Sequence, residues 1–194
     1  MQTIKTILRE QKNEMTLSQQ KFLQNTHNKE AGLLILQTYN PNRQVEFANK
    51  PSLCVLGDFP TLGSVARTCG YEVVKDWLTI EINDFQNWEN VPEEYKLQKE
   101  SVKEIAEMIF NEFRYFKLTE IMLFLQHLKA GKYERFYNTI KGTTILRSLR
   151  MFKEYRDMII SREEQRKRKE ELEEGLKHAI SYTEFKKMKL KECV

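Results

Sequence analysis

The residues best suited to binding chemistry lie together in the stretch LKAGKYERFYNTIKGTT, residues 128–144. It holds four Lys or Arg, three aromatic residues and one acid, and two more arginines follow within two helical turns. Basic side chains bind phosphates of any nucleic-acid sequence, and flat aromatic rings stack on unpaired bases. We therefore predict a nucleic-acid-binding surface formed by Lys129, Lys132, Tyr133, Arg135, Tyr137, Lys141, Arg147 and Arg150.

The same stretch is also typical of a turn between two packed helices. Gly131 stands where a left-handed residue commonly ends a helix, and Gly142 precedes the next helical pattern. In this interpretation both glycines are helix caps, the aromatic rings close the core and the basic side chains are only solvated. In the first interpretation the glycines let a backbone or a phosphate approach closely. The sequence leaves both open.

No motif of catalysis accompanies this stretch. The chain has no GxxxxGK[ST], GxGxxG, HExxH or GxSxG, and its three histidines are scattered. His127 is expected at a helix end or on the surface, since no second metal-ligating side chain lies within helical reach. The three cysteines are widely spaced and form no CxxC pair. We expect no enzymatic activity, no metal and no cofactor.

A second segment, Thr61–Leu78, has the spacing of a helix-turn-helix unit. Thr61 can cap a short helix, and Gly70 can join that helix to a second one. A DNA-reading helix needs exposed polar residues, and the second helix offers Lys75 beside two acids, which face phosphates badly. The segment is thus either the DNA-binding unit of a small sequence-specific regulator or a structural helical corner.

The elements around these residues are predicted to be helical. Apolar residues keep helical spacing over residues 102–113, 121–128 and 145–159, with Thr119 as a cap for the second of these. We therefore predict a mainly α fold, with a compact helical core and a long charged C-terminal helix. Near residues 33–48 a short apolar run followed by NPN allows a small β-hairpin, or else a buried helix followed by an extended loop.

Pattern changes along the chain suggest three parts. Residues 1–50 read as N-terminal amphipathic helices and a linker, and residues 51–160 as the helical core domain. Residues 161–194 read as a charged helical extension. The terminal helices are candidates for binding a protein partner.

Charge is distributed unevenly over the 194 residues. Residues 129–194 carry 18 Lys and Arg against 11 Asp and Glu, whereas residues 1–128 carry 14 against 17. A basic C-terminal third indicates a polyanionic partner, with DNA expected ahead of RNA. No window is apolar enough for a membrane span, and the N-terminal stretch has no apolar run long enough for a signal peptide, so we expect a cytoplasmic protein without a membrane partner.

The segment TEIMLFLQHLKAGKYERFYNTIKGTTILRSLRMFKEYR resembles an uncharacterised family common in Bacteroidetes genomes, phages and mobile elements. The shared pattern is Lys-x-Gly-Lys-Tyr-x-x-Phe-Tyr, and the upstream stretch from Pro60 to Trp88 is similar to a second block of that family, so that the resemblance covers about residues 50–156. Glu134 and Asn138 replace glycines of the family's pattern, and Lys141 stands near where it has an Asp.

The resemblance implies no activity, but its setting favours replication, DNA handling or phage assembly in a bacterial host cell. We therefore expect a non-enzymatic phage or mobile-element accessory protein with a basic surface that contacts nucleic acid. The alternative is a protein–protein adaptor or structural component that binds no nucleic acid.

Overall fold

The computed structural model describes residues 30–134, residue 136 and residues 139–178. Within these ranges no β-strand occurs, and Thr61 and Lys117 form an isolated antiparallel bridge. Short 3-10 helices lie at Pro41–Arg43 and Glu93–Tyr95. The prediction of a mainly α fold is confirmed. The α-helices are α1 (residues 30–38), α2 (Gln44–Ala48), α3 (Pro51–Leu56), α4 (Leu62–Cys69), α5 (Tyr71–Trp88), α6 (Lys99–Phe113), α7 (Leu118–Lys129) and α8 (Gly142–His178).

The β-hairpin alternative near residues 33–48 is wrong. The apolar run belongs to α1, and the NPN sequence starts a 3-10 helix that continues into α2. The side chain of Asn40 accepts a hydrogen bond from the amide of Asn42 at 3.1 Å, and Pro41 occupies the first helical position, where its missing N–H costs nothing. Asn-Pro therefore acts here as a helix start rather than as a hairpin turn.

Several helix ends follow from local sequence signals. The Thr61 hydroxyl accepts a hydrogen bond from the amide of Ser64 at 3.1 Å, which confirms its predicted role as the cap of α4. Gly70, with φ of +100°, joins α4 directly to α5. The predicted cap at Thr119 is wrong, because α7 begins earlier and the Glu120 carboxylate accepts from the amide of Lys117 at 2.7 Å.

The core is built from the predicted apolar stripes. α7 is buried along almost its whole length, and α5 and α6 each place one apolar face inside. The first turns of α8 add Ile145, Leu149 and Phe152, all fully buried. The Thr119 hydroxyl donates to the carbonyl of Cys54 at 2.9 Å, so this polar group is satisfied inside the core.

The chain divides into two compact units after Phe152. The second unit begins at Lys153, and its described part is the remainder of α8, where exposed side chains form ion pairs three or four residues apart, such as Glu163 with Arg166 at 2.6 Å. The three-part division predicted above remains a prediction. Residues 1–29, where the N-terminal amphipathic helices were mainly predicted, and residues 179–194 lie outside the described residues.

Candidate nucleic-acid interface

The turn between α7 and α8 begins with a helix end closed by glycine. Ala130 is the C-cap of α7, and Gly131 follows it with φ of +67°. The amide of Gly131 donates to the carbonyl of Leu128 at 3.0 Å, and the amide of Lys132 donates to that of His127 at 3.0 Å. These are the two bonds of a Schellman motif. The predicted role of Gly131 is confirmed, and the side chain of Lys132 is exposed.

The far end of the turn is fastened to the core. A Cβ on Gly142 would lie 2.5 Å from the Cδ1 atom of Ile105, so glycine lets α8 start directly against α6. The ring of Phe136 packs on that of Phe85, with 5.3 Å between centroids. At Gly142 the neighbour that a Cβ would meet is therefore a core side chain.

Lys129 points into the molecule, towards α5 and α2. Its ammonium donates to the carboxylate of Asp84 at 2.5 Å and to the side-chain oxygen of Gln44 at 2.7 Å. Only 10% of the Lys129 side chain is exposed. Among the predicted nucleic-acid contacts, this residue is thus placed in a part-buried polar network rather than on the outer surface.

The same network contains an acid that the sequence did not single out. Glu81 on α5 is fully buried. Its Oε2 atom accepts a hydrogen bond from the side-chain Nε2 of Gln44 at 2.5 Å, whereas Oε1 has no partner within the described part of the chain. Burial, followed by repulsion from Asp84, raises the pKa of Glu81 to about 8, against the lowering effects of Gln44 and Lys129. Gln44 and Lys129, which contact or face it, lie on helices far from α5 in sequence, so no spacing signal could have revealed this network.

Tyr133 packs inward above the core. Its ring lies 5.9 Å from that of Phe124, and its hydroxyl lies 3.1 Å from the Nδ1 atom of His127. His127 lies in the last turn of α7, which is one of its two expected positions, and it is buried rather than on the surface. Burial, with the nearby charge of Lys132, lowers the pKa of His127 to about 4, so its ring is neutral at neutral pH. The turn interpretation therefore describes Tyr133 better than the stacking interpretation.

We expect Tyr133→Ala to lower the free energy of unfolding by about 1–2 kcal/mol, because a half-buried ring leaves the core. Tyr133→Phe keeps the ring and removes the hydroxyl that contacts His127, at a cost of about 1 kcal/mol. Urea denaturation of the two variants measures both effects. Unchanged stability of Tyr133→Ala, together with weaker binding to single-stranded DNA, would instead show that this ring stacks on bases.

Two lysines of the predicted surface are exposed at the ends of the turn. Lys132 follows α7, and Lys141 precedes α8, where its carbonyl accepts from the amide of Ile145 at 3.2 Å. Neither ammonium has an acidic partner among the described residues. The predicted contacts Arg135 and Tyr137 lie outside the described residues.

The two arginines of the predicted surface that lie on α8 are exposed but paired with acids. Arg147 donates to both carboxylate oxygens of Glu134, at 2.9 and 3.0 Å. Arg150 forms the same two-pronged contact with Glu112 of α6, with both bonds at 2.7 Å. The hydrogen bond from Arg150 lowers the pKa of Glu112. Exposed pairs of this kind are weak, so a phosphate can compete for either arginine.

The helical corner at Thr61–Leu78 packs one face of α5 into the core and pairs its lysine with an acid. Val74, Trp77 and Leu78 of α5 are buried, and Lys75 pairs with Glu107 of α6. A recognition helix must lie exposed in the groove of DNA. This arrangement favours the structural interpretation of the corner.

The described residues hold no group of three or more His, Cys, Asp or Glu side chains that could bind a metal ion. In the same part of the chain, no helix is long and apolar enough to cross a membrane.

The model of a family of unknown function, DUF6633, matches residues 96–193. That range includes the α7–α8 turn and leaves the block from Pro60 to Trp88 outside. No curated protein and no solved structure matches the chain.

Proposed function

This chain belongs to the family of unknown function DUF6633, and we propose that it is a non-enzymatic accessory protein that contacts nucleic acid through the α7–α8 turn. The contact surface consists of the side chains of Lys132, Lys141, Arg147 and Arg150. It takes DNA in preference to RNA and recognises phosphates rather than base sequence.

The observation that carries this proposal is that the ammonium groups of Lys132 and Lys141 are exposed and form no ion pair with any residue that the structure describes. They stand at the two ends of one turn, and the turn's backbone is held by the Schellman bonds at one end and by Gly142 against α6 at the other. Fixed cations bind phosphates at a smaller entropic cost than cations on a loose loop. The turn is thus both a helix connection and a support for basic side chains.

Arg147 provides an adjustable part of the surface. Its side chain is 62% exposed, and its partner Glu134 occupies a position where the resembled family has glycine. Glu134 therefore competes with phosphate for Arg147 in this chain. Loss of the Glu134 carboxylate should release the guanidinium and increase affinity for nucleic acid.

The resemblance to proteins of phages and mobile elements supports a role in replication or DNA handling. The basic composition of residues 129–194 supports a polyanionic partner. A non-enzymatic role is supported by the scattered histidines. It is also supported by the structural use of the buried acid Glu81 and of Lys129, which both bind the side chain of Gln44 rather than line an open site.

We expect Lys132→Ala/Lys141→Ala to weaken binding to all DNA sequences alike. Each lost phosphate contact should reduce the slope of log K against log salt by about 0.9 on duplex and about 0.7 on single strands. Glu134→Gln should strengthen binding in the same assay, because it frees Arg147. Titrations at several salt concentrations with duplex and single-stranded DNA measure these changes.

The matched control is Lys50→Ala/Lys169→Ala, which removes the same charge from two other exposed lysines. It should leave the salt slope close to that of the parent chain. Equal losses in the two double variants would show that only net charge matters, and an absence of binding at low salt would refute the proposal.

A protein–protein adaptor is the second candidate. Leu172 and Leu176 stand four residues apart on the charged part of α8 and are each 65% exposed, so they form a small apolar stripe on an otherwise polar helix. Such a stripe is typical of a helix that docks on a partner. Failure of all nucleic-acid binding, with loss of partner capture in Leu172→Glu, would favour this candidate.

A further inference from the structure

A cleft of about 540 Å³ opens between α4 and the C-terminal end of α6, and none of its lining residues belongs to the proposed turn surface. Gly63, Ala66 and Arg67 line one wall from α4. Phe110 and Arg114 line the other wall. Residues three or four apart share one face of a helix, so the residues named on each side form one wall. Each wall contains one arginine. The volume lies within the range of about 300–1,000 Å³ that is usual for small-molecule sites.

The base of this cleft is rigid. The amide of Gly63 donates to the carbonyl of Arg114 at 2.7 Å, and the amide of Leu62 donates to that of Phe116 at 2.8 Å. A Cβ at position 63 would lie 3.1 Å from the Arg114 carbonyl oxygen, so glycine allows this close backbone approach without a shift of either segment. The side chains of Leu62 and Phe116 are fully buried beneath these bonds. The two walls are therefore held in place without a ligand.

The cleft carries two uncompensated positive charges. Arg67 and Arg114 are exposed, and neither has an acidic partner in the part of the chain that the structure describes. Arg147 and Arg150, by contrast, each bind a carboxylate through two hydrogen bonds. Two free guanidinium groups at one cleft, with no acid lining it, form a site for a phosphate or another planar anion.

Aromatic rings stand beside these charges. Phe110 is half-buried and is supported from behind by Tyr71, with ring centroids 4.9 Å apart. Tyr115, at the edge of the cleft, is 42% exposed and leans edge-on against Phe116. Because Gly63 and Ala66 on the opposite wall are small, the space facing the rings is open. A flat ring can enter there and stack.

We propose that this cleft binds a nucleotide, with its phosphate held by Arg67 and Arg114 and its base against the ring wall of Phe110 and Tyr115. The nucleotide is either free or part of a single strand, because both present a phosphate beside an unpaired base. The proposal does not depend on the α7–α8 turn, since the two surfaces share no residue.

The test titrates the full chain with AMP, adenosine and inorganic phosphate, followed by NMR. AMP should bind more tightly than adenosine, which lacks the phosphate, and more tightly than inorganic phosphate, which lacks the base. Arg67→Ala and Arg114→Ala should each weaken AMP binding by about 10- to 100-fold, since each removes hydrogen bonds to a charged group. Arg162→Ala, which removes an exposed arginine of α8, should leave it unchanged.

The ring wall is tested separately from the charges. Tyr115→Leu should weaken AMP binding by about fivefold or more and leave phosphate binding as in the parent chain, whereas Tyr115→Phe should retain both. Circular dichroism confirms that each variant is folded. The proposal is overturned if AMP does not bind, if adenosine or phosphate binds as tightly as AMP, or if the arginine variants bind AMP like the parent chain.

A single-stranded oligonucleotide distinguishes a site for a free nucleotide from a site for a nucleotide within a strand. If the cleft takes a nucleotide within a strand, the oligonucleotide displaces AMP and Arg114→Ala weakens its binding. If the cleft takes a free nucleotide, the oligonucleotide does not displace AMP. The turn surface is assessed independently by Lys132→Ala/Lys141→Ala, which should alter strand binding without altering AMP affinity.

Discussion

Lys129→Ala is expected to lower the free energy of unfolding by about 2–4 kcal/mol, a larger effect than that of any other lysine of the predicted surface. The variant leaves the carboxylate of Asp84 and the side-chain oxygen of Gln44 without their charged partner. Lys129 is almost fully covered, whereas Asp84 is partly exposed and can recover some hydration, which limits the loss. Urea denaturation at pH 7 measures the difference.

Lys132→Ala is the matched control, because that side chain is exposed and lies only three residues away. Its effect on stability should stay within about 0.5 kcal/mol. The two variants should show the opposite order in DNA titrations, where Lys132→Ala weakens binding and Lys129→Ala does not. Equal and small stability changes would mean that the inward orientation of Lys129 is not kept in solution.

The second large effect concerns pH and Glu81. Its pKa is about 8 in the folded chain and close to 4.5 when exposed, so between these values the folded chain keeps a proton that the unfolded chain has lost. Unfolding then releases a proton, and the free energy of unfolding falls as pH rises, by up to about 1.4 kcal/mol per pH unit. Above the folded pKa the full cost of a buried carboxylate is present.

Glu81→Gln removes this titration, so the variant should gain stability relative to the parent chain as pH rises from about 5 to 8. The stability difference between the two chains should change by about 1 kcal/mol per pH unit over that window. His127 titrates with the opposite sign, since its lowered pKa makes the folded chain less stable as pH falls from about 6.5 to 4. Its effect is common to both chains and cancels in the difference.

Urea denaturation at pH 5, 6, 7 and 8 provides the measurement. Glu112→Gln serves as the control, because the pKa of this exposed carboxyl is lowered by Arg150 and its effect lies at more acidic pH. A parent-minus-variant difference that is constant from pH 5 to 8 would show that Glu81 is ionised throughout this range in the folded chain.

Short-range signals in the sequence were sufficient for much of the fold. The apolar spacing over residues 102–113 and 121–128 predicted the buried faces of α6 and α7, because a helix repeats every 3.6 residues whatever packs on it. Thr61 and Gly131 were readable as helix ends because their hydrogen bonds stay within a few residues. The β-hairpin allowed near residues 33–48 is wrong for two reasons: a run of four apolar residues suits a strand or a helix equally, and Asn-Pro here starts a 3-10 helix instead of a turn.

The directions of the charged side chains were decided only by tertiary structure. Lys129 and Lys132 are both basic residues beside the same helix end, yet one binds Asp84, 45 residues away in sequence, and the other is exposed. Arg67 and Arg114 come to one cleft because Gly63 lets two distant backbone segments touch. The sequence by itself determined where helices form and which faces are apolar, since those depend on near neighbours. Which cations are free for a ligand depends on partners from distant helices, and only packing brings these together.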